Sequence, residues 1–417
     1  MTQPTPRARS GPLAGHRVVE LSSTIAGPVC ARLLADFGAD VIKIESPEGD
    51  PGRNFGAQVD GVSLYAASMY RNKRAIVLDL KSPEGRDIAL KLLDKADVLV
   101  ENFRPGVLDR LGLGEDVVRA RNPRLVTVRI SGYGQTGPYR ERPGYGAICE
   151  AVAGVRHLTG DPDRPPARCA LATTDYLTAV YASFGAVMAL YERVQSGQGQ
   201  MIDAALYESA FSQMEEAVPS YERTGVIPTR QGSRLMNTAP NSLYPTNDQQ
   251  WVLIGANNDA IFQRLTKIMG HTEWGIDPRY STQRARGERV DEVDGLVSDW
   301  TSQRSAEEVQ RLLVEAEVPV SRVNTIADIF EDQHYRARQM LLKIPHPKLG
   351  DVTMTGVVPK MSRTPGEVVK AGSGLGEDTR EVLMNDLGYS AEEVDRLAAA
   401  RAVWCGEKDI ASTHTER

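Results

Sequence analysis

The chain has 417 residues, 41% of them hydrophobic and 25% charged, and its 49 basic and 55 acidic side chains give a net charge of −6. These values are typical of a globular protein of about two or three domains, and they exclude a strong attraction for nucleic acid or for an anionic membrane. No apolar run approaches a membrane span, so we expect a cytoplasmic protein with neither a membrane nor a nucleic-acid partner.

The sequence gives no sign of a metal site or a disulfide framework. Cys30, Cys149, Cys169 and Cys405 are widely spaced and form no CxxC pair, and the six histidines are isolated from one another. Zinc sites and disulfide-rich domains both show closely spaced cysteines. We therefore expect no bound metal and no permanently bound cofactor.

The first third of the chain alternates strands and helices. A strand at residues 17–22, a helix at 28–37 and a strand at 40–45 predict a parallel pair with a right-handed crossover. Alternation continues with further strands at residues 75–80, 98–100 and 125–130 and a helix at 82–96. The sequence predicts the α/β class, with a large Rossmann-like domain built on a parallel sheet.

A long helix is predicted to begin at Thr173-Thr174-Asp175. Its apolar residues follow the spacing of one helix face, which we expect to be buried. They are Leu177, Val180, Tyr181, Phe184, Val187, Met188 and Tyr191. Asp175 falls in the first turn, where the positive end of the helix dipole favours an ionised carboxylate. On these grounds alone Asp175 is simply a residue of the helix start, with capping as its expected role.

The whole chain divides into five predicted ranges. Residues 1–15 form a disordered leader, and residues 16–222 form the first part of the large domain, with a strand at 201–205 and a helix at 206–221. Residues 223–250 are rich in Pro, Arg and Asn and predict a linker. Residues 251–330 predict a smaller α+β domain, and residues 331–417 return to the large one, with a strand at 351–357.

Familiar enzyme motifs are absent or misplaced. The segment Gly132-Tyr133-Gly134-Gln135-Thr136-Gly137 matches GxGxxG, but no helix opens directly after it, so we reject an NAD or FAD site. The sequence has no P-loop, no HExxH and no GxSxG. Basic residues collect in the first third of the chain, either as a solvated face or as a site for a ligand rich in phosphate.

Six short motifs follow one another in a fixed order. They are Ala26-Gly27-Pro28, residues 38–45 (GADVIKIE), Asn72-Lys73-Arg74, residues 80–85 (LKSPEG), residues 101–106 (ENFRPG) and residues 132–138 (GYGQTGP). With these motifs, and with Thr174-Asp175 at the matching position, the sequence resembles the family III CoA-transferases, or CaiB/BaiF family, over roughly residues 12–400. The resemblance implies that Asp175 is the catalytic nucleophile and that coenzyme A enters as a substrate thioester.

The resemblance also implies which residues meet coenzyme A. Lys73, Arg74 and Arg110 would bind phosphates, and Asn102, Phe103 and Arg104 the adenine or pantetheine. Further expected contacts come from the first loop and from the segment before the Asp175 helix. These are Ser23, Thr24, Ala26, Arg142 and Tyr145. Backbone N–H groups near Gly134 and Gly137 are candidates for stabilising an oxyanion.

Two differences from formyl-CoA transferase restrict the substrate. Ser23 and Ile25 replace that enzyme's His and Gln, and its tetraglycine loop is absent, so formate and oxalate are poor candidates. The segment Tyr244–Thr246 looks more like members that act on succinyl-CoA and dicarboxylates. We expect transfer from succinyl-CoA to a C4 to C5 dicarboxylate, with a carnitine-type acid as the alternative and Arg230, Arg234 and Asn241 as candidate contacts of a second carboxylate.

A second activity within the same resemblance is racemisation. The α-methylacyl-CoA racemases carry Gly-His-Asp where this chain has Gly144-Tyr145-Gly146, and without the His the chain lacks an evident second proton carrier. Proton exchange therefore remains the alternative function. The resemblance also implies an interlocked homodimer.

Overall fold

The structure is a computed structural model that describes residues 10–406. Its strands are β1 Arg17–Leu21, β2 Asp40–Glu45, β3 Gln58–Val59, β4 Val62–Ser63, β5 Lys73–Leu78, β6 Val98–Glu101, β7 Val126–Ser131, β8 Met201–Ala205, β9 Asn241–Pro245, β10 Trp251–Gly255, β11 Val320–Arg322, β12 Leu341–His346, β13 Gly350–Thr355 and β14 Val403–Trp404.

Its helices are α1 Ala26–Asp36, α2 Leu64–Met69, α3 Pro83–Asp94, α4 Val107–Arg110, α5 Glu115–Arg121, α6 Gly146–Val152, α7 Thr173–Ser196, α8 Leu206–Phe211, α9 Ala217–Thr224, α10 Asp259–Met269, α11 Gln283–Gly287, α12 Val290–Thr301, α13 Ala306–Glu315, α14 Ile326–Glu331, α15 Gln333–Ala337, α16 Thr379–Glu381 and α17 Ala391–Ala399.

The described residues form two units. The larger contains the chain up to Val155, Cys169–Val218 and the chain from His334 onwards, and the smaller contains Arg156–Arg168 and Pro219–Gln333. No helix within residues 10–406 combines the length and the apolar character needed to cross a membrane.

The larger unit is built on the predicted parallel sheet, which confirms the α/β fold. Its strand order is β14-β5-β2-β1-β6-β7-β8, and every neighbouring pair is parallel except β14 with β5. The chain adds strands outward from β1 to β2 and β5, then returns to the other side of β1 with β6. The order therefore reverses between β1 and β6, and a crevice opens beyond the carboxyl ends of these strands.

Alternate residues of each strand face two different apolar layers. Val18, Val41 and Val98 pack with α1 and α7, whereas Val19, Ile42 and Leu99 pack with α3 and α17 on the other side. Because both faces of the sheet are covered, its central strands are almost continuously apolar, as expected for a parallel sheet.

The residues just before β1 are packed rather than disordered. Residues 10–15 were assigned to a leader of residues 1–15, but Leu13 is buried and its backbone N–H donates to the carbonyl of Phe37 at 3.0 Å. A single buried leucine anchors this turn on α1. Residues 1–9 of the predicted leader lie outside the described residues, as do residues 407–417 of the return segment.

Helix α7 contradicts the prediction about its buried face. The buried side chains are mostly small, namely Ala179, Ala182, Ala186 and Ala189. By contrast, Phe184 is 60% exposed and Tyr191 is 73% exposed. The alanines allow α7 to approach α1 closely, so the large apolar residues face outward.

The smaller unit is larger than the predicted range of residues 251–330. Strand β9 lies within the segment 223–250, pairs with β10, and is not part of a bare linker. The three antiparallel strands β11-β10-β9 pack against α10, α12 and α13. The predicted helix over residues 206–221 is divided into α8, a short 3-10 turn and α9.

The predicted strand at residues 351–357 is present as β13. It pairs with β12 in an antiparallel hairpin and does not join the large sheet. Ile344 and Met354 of this hairpin pack on Ala67, and Arg71 donates to the carbonyl of Thr355 at 2.6 Å. The hairpin therefore belongs to the larger unit, as its position in the chain suggested.

Candidate active site

A cleft opens where the sheet order reverses, beyond β1 and β6. Its walls come from the loop after β1, the loop after β6, the end of β7, the segment before α6, and the first turn of α7. The residues lining it include Ser23, Thr24, Ile25, Ala26, Asn102, Phe103, Arg104, Ser131, Gly132, Arg140, Arg142, Gly144, Tyr145 and Asp175. Nine of the predicted site residues thus lie around one space.

Asp175 enters this cleft from the first turn of α7. The N-cap residue of the helix is Ala172, which makes no side-chain capping hydrogen bond, and Asp175 is the acidic residue of the first turn. The backbone of Gly146 lies directly against it, since a Cβ atom at Gly146 would be 2.1 Å from Oδ2 of Asp175. Only glycine leaves room for this carboxylate as it stands.

The loop after β1 is held in one conformation by two side chains. The amide of Asn102 accepts from the backbone N–H of Ser23 at 2.9 Å and donates to its carbonyl at 2.7 Å. Asp50 accepts from the N–H of Thr24 at 2.9 Å, and Thr24 has a φ of 72°. Because Thr24 takes a backbone conformation that is uncommon for a residue with a side chain, these contacts are needed to fix it.

A buried network of charges lies beneath this loop. The ammonium of Lys43 donates to Glu20 at 2.9 Å and to Asp50 at 2.8 Å, and that of Lys73 donates to Glu20 at 2.6 Å. Burial alone would raise the pKa of Glu20, but Lys43 and Lys73 outweigh it and lower that pKa. The network links β1, β2 and β5 to Asp50, which holds Thr24.

The structure corrects the expected role of Lys73. Its side chain is 1% exposed, and it also donates to the carbonyl of Pro28 at 2.7 Å. Burial is the main reason that its pKa is lowered to about 8. A lysine enclosed in this way cannot reach the phosphates of a ligand in the cleft.

Arg74 is likewise committed elsewhere. It forms ion pairs with Asp40 at 2.5 Å and with Asp386 at 2.6 Å, near the amino ends of β2 and β5. This is the opposite edge of the sheet from the cleft. The prediction that Arg74 binds a phosphate is therefore wrong for a ligand that occupies the cleft.

A basic groove adjoins the cleft and shares Arg104, Pro105 and Arg140 with it. It also contains Arg110, as the sequence suggested, and Arg129, which was not predicted. Arg142 stacks on the ring of Tyr139 at 3.5 Å. The only signal for Arg129 and Arg140 in the sequence was their closeness to the 132–138 motif.

The glycines proposed as oxyanion donors have other contacts. The N–H of Gly134 donates to the hydroxyl of Ser131 at 2.9 Å, and neither Gly134 nor Gly137 lines the cleft. Gly132 and Gly144 do line it, and their backbones approach so closely that a Cβ atom on Gly132 would be 2.9 Å from Cα of Gly144. These glycines allow two walls of the cleft to meet.

The arginines considered for a second carboxylate are paired inside the smaller unit. Arg234 contacts Asp291 at 2.7 Å and Asp294 at 2.8 Å. Arg230 donates to the carbonyls of Asp161 and His157. Asn241 is part of strand β9. The charge of Arg234 is therefore compensated by two carboxylates, whereas Arg230 is held by backbone carbonyls.

Glu101 is a buried acid behind the cleft loop. It accepts from the N–H of Phe103 at 2.8 Å and lies 3.4 Å from Arg129. Burial raises its pKa to about 7, although the hydrogen bond and Arg129 oppose the shift. The folded protein therefore retains a proton on Glu101 at pH values where the unfolded chain has lost it. This difference in proton binding stabilises the folded state fully below about pH 4.5, and the contribution is lost as the pH rises through about 7.

We expect Glu101→Gln to remove this pH dependence. Between about pH 4.5 and pH 7 the free energy of unfolding of the wild type should fall, relative to the variant, by on the order of 3 kcal/mol. Urea unfolding of both proteins at pH 5 and pH 8 would measure it, with the exposed Glu84→Gln as the control. A constant difference between wild type and Glu101→Gln at the two pH values would contradict the assignment.

Among residues 10–406, no cluster of three or more His, Cys, Asp or Glu side chains is arranged to hold a metal ion. The cleft itself offers a carboxylate that is held between rigid loops and lies beside a basic groove. This combination suits nucleophilic attack on an activated acyl group attached to a phosphate-rich carrier.

Known proteins of similar sequence support an acyl-transfer chemistry that uses a phosphate-rich carrier. Residues 13–379 match the family described as CoA-transferase family III. The succinyl-CoA–D-citramalate CoA-transferase of Chloroflexus aurantiacus is 44% identical over 94% of this chain and 98% of its own length. The succinate–glutarate CoA-transferase of Agrobacterium fabrum is 35% identical over 90% of this chain and 96% of its own length.

A solved structure shows the same fold. The crystal structure of a CaiB/BaiF family protein from Brucella suis superimposes with a TM-score of 0.80 at 33% sequence identity, covering 90% of this chain and 99% of that one. With the family motifs, the fold and these relatives in agreement, the chain belongs to CoA-transferase family III and is a CoA-transferase.

Proposed function

We propose that this enzyme transfers CoA from succinyl-CoA to a C4 to C5 dicarboxylic acid through a thioester on Asp175. The observation that supports the proposal most is the carboxylate of Asp175, set in a cleft between two rigid loops with Gly146 against it. The substrate class is supported by relatives named for succinyl-CoA with D-citramalate, succinyl-CoA with L-malate, and succinate with glutarate.

In the first half-reaction, a carboxylate oxygen of Asp175 attacks the thioester carbonyl of succinyl-CoA. The C–S bond breaks, CoA leaves as a thiolate, and a mixed anhydride remains on Asp175. The thiolate then attacks the aspartyl carbonyl of this anhydride. Succinate leaves as a carboxylate, and CoA is held on Asp175 as a thioester.

The second half-reaction repeats these steps in reverse with a new acid. The acceptor carboxylate attacks the aspartyl thioester and releases the CoA thiolate, which attacks the acceptor's carbonyl in the new anhydride. Asp175 leaves as the carboxylate. One thioester is exchanged for another, so the reaction needs no oxidant, no ATP and no net proton.

The arginines fit the phosphate-rich end of CoA. Arg104 and Arg140 line both the cleft and the adjoining groove, and Arg110 and Arg129 line the groove alone. Guanidinium groups bind phosphate through paired N–H donors. In this arrangement the phosphates lie in the groove, and the pantetheine arm extends past Asn102 toward Asp175.

Trapping the intermediate tests the function directly. The protein is incubated with succinyl-CoA, treated with hydroxylamine or borohydride, digested, and analysed by peptide mass. We expect a modification on the peptide that contains Asp175, and only when succinyl-CoA is present. Labelled CoA that moves between acids while this peptide stays unmodified would disprove the covalent route.

We also propose a homodimer, of the interlocked kind that the resemblance implies. Support comes from the outward face of α7, where large apolar residues recur at helical spacing. Tyr181, Phe184, Met188 and Tyr191 are all at least 45% exposed. An apolar stripe of this kind on one chain marks a surface for association.

We expect Phe184→Glu to weaken the dimer, because a carboxylate buried in an apolar interface without a partner is costly. Light scattering after size-exclusion chromatography should give a dimer mass for the wild type and a smaller mass for the variant. Val314→Glu, on the exposed face of α13, is the control. A monomeric wild type, or a Phe184→Glu protein that remains dimeric down to nanomolar concentration, would contradict the proposed interface.

A further inference from the structure

Arg32 on α1 is a partly buried cation for which the described part of the chain provides no carboxylate partner. Its Nε atom is buried and has no hydrogen-bond partner, and no ion pair of Arg32 with another residue of the described range 10–406 is found. The guanidinium carbon lies 5.7 Å from the ring centre of Tyr176, the residue that follows Asp175. Arg32 therefore lies beside the first turn of α7, the turn that also carries Asp175.

Three other arginines of low exposure are each neutralised by a carboxylate. Arg71 pairs with Asp36 at 2.6 Å, Arg53 with Glu45 at 2.6 Å, and Arg286 with Asp259 at 2.8 Å. Withdrawing a charge from water without compensation is costly, so charged groups in the interior are normally paired. Arg32 departs from this pattern, and an anionic ligand would supply the missing partner.

The surroundings of Arg32 connect it with the active-site loop. Tyr65 donates its hydroxyl to the carbonyl of Thr24 at 3.1 Å. Burial is the main cause that raises the pKa of Tyr65; Asp175 raises it further and Arg32 lowers it. The charges of Arg32 and Asp175 therefore both influence the phenol of Tyr65, whose hydroxyl contacts the cleft loop at Thr24.

We infer that Arg32 is the specificity-determining residue that binds the distal carboxylate of a dicarboxylic substrate. This inference rests on the proposed function and identifies which side chain selects the diacid. The planar guanidinium can grip a carboxylate with two parallel hydrogen bonds. Arg234 is excluded from this role by its two aspartates, and Arg104 and Arg140 line the groove assigned to phosphates.

The order of the reaction gives Arg32 two ligands in turn. Succinate leaves before the acceptor acid attacks the aspartyl thioester, so the same space near Asp175 receives first one diacid and then the other. A single fixed cation can therefore select both the donor and the acceptor. Monocarboxylic acids would leave the charge of Arg32 uncompensated and should react more slowly.

The test compares two acyl-CoA donors of four carbons, succinyl-CoA and butyryl-CoA, of which only the first has a distal carboxylate. With enzyme in excess and no acceptor, release of the free acid reports the first half-reaction alone. In Arg32→Gln, we expect the second-order rate constant for succinyl-CoA to fall roughly 10- to 100-fold, the usual effect of losing a charge-assisted hydrogen bond. The constant for butyryl-CoA should change less than about threefold.

Arg396→Gln on the exposed side of α17 is the matched control and should leave both rates unchanged. Arg32→Lys keeps the charge without the planar fork and should give an intermediate loss with succinyl-CoA. If Arg32→Gln does not fold, Arg32→Lys carries the same comparison, and thermal unfolding of each variant separates stability from selectivity.

An equal change with both donors, or no change with either, would overturn the role of Arg32 and leave the proposed function intact. A wild-type protein that releases neither acid would instead refute the proposed function, and the inference with it.

Discussion

Replacing Asp175 by Asn should reduce CoA transfer by roughly 10⁴-fold or more, because the amide cannot act as the oxygen nucleophile and no covalent intermediate can form. The fold should be almost unaffected. Asp175 lies in the first turn of α7, where a carboxylate interacts favourably with the helix dipole by about 0.3 to 1 kcal/mol.

The measurement is steady-state transfer of CoA from succinyl-CoA, with the melting temperature recorded for each protein. Asp175→Ala is measured as well, because slow deamidation of the Asn variant would regenerate the aspartate, whereas alanine cannot deamidate. Asp299→Asn is a matched control, since this aspartate is exposed on α12. Turnover of Asp175→Asn and Asp175→Ala within tenfold of the wild type would show that another group accepts the acyl chain.

The sheet could be predicted from sequence because its signals are local. Strands β2 and β8 have the predicted ends, and the other strands of the large sheet that were predicted lie within about two residues of their expected positions. The loops of the cleft also follow from the sequence, since the carboxyl ends of parallel strands share one edge. Their closeness to Asp175 came from the family resemblance.

The buried face of α7 could not be deduced in the same way. Helical periodicity shows that apolar residues share a face, but it does not show which surface covers that face. Here Ala182 and Ala186 pack against the domain while Tyr181 and Phe184 face outward. The buried face of α7 consists largely of alanines, and their low hydrophobicity gives only a weak signal in the sequence.

The errors at Lys73 and Arg74 have a related cause. Positive side chains suggested a phosphate site, but their acidic partners Glu20, Asp40 and Asp386 are far away in the sequence. Glu20 and Asp40 lie on neighbouring strands, and pairs of that kind are set by strand order and register. Arg32 shows the converse, because only the structure reveals that no carboxylate within residues 10–406 pairs with it.

A methyl group at Gly146 should be the most damaging small change in the cleft. The Cβ atom of alanine would be 2.1 Å from Oδ2 and 2.8 Å from Cγ of Asp175, closer than any ordinary contact. The backbone of Gly146 has no positive φ, so alanine is compatible with the helix. The carboxylate of Asp175 must therefore turn away, and a displacement of about 1 Å can reduce a rate by roughly 100-fold.

The effect of Gly146→Ala should appear in kcat rather than in KM. The four arginines proposed to bind the phosphates of CoA line the groove, and this methyl group does not touch them. Gly295→Ala in α12 is the control, because its Cβ would meet no atom within 4 Å. If Gly146→Ala kept full kcat, the carboxylate would have to react from another orientation. The close packing of α6 on Asp175 would then have no role in positioning the nucleophile.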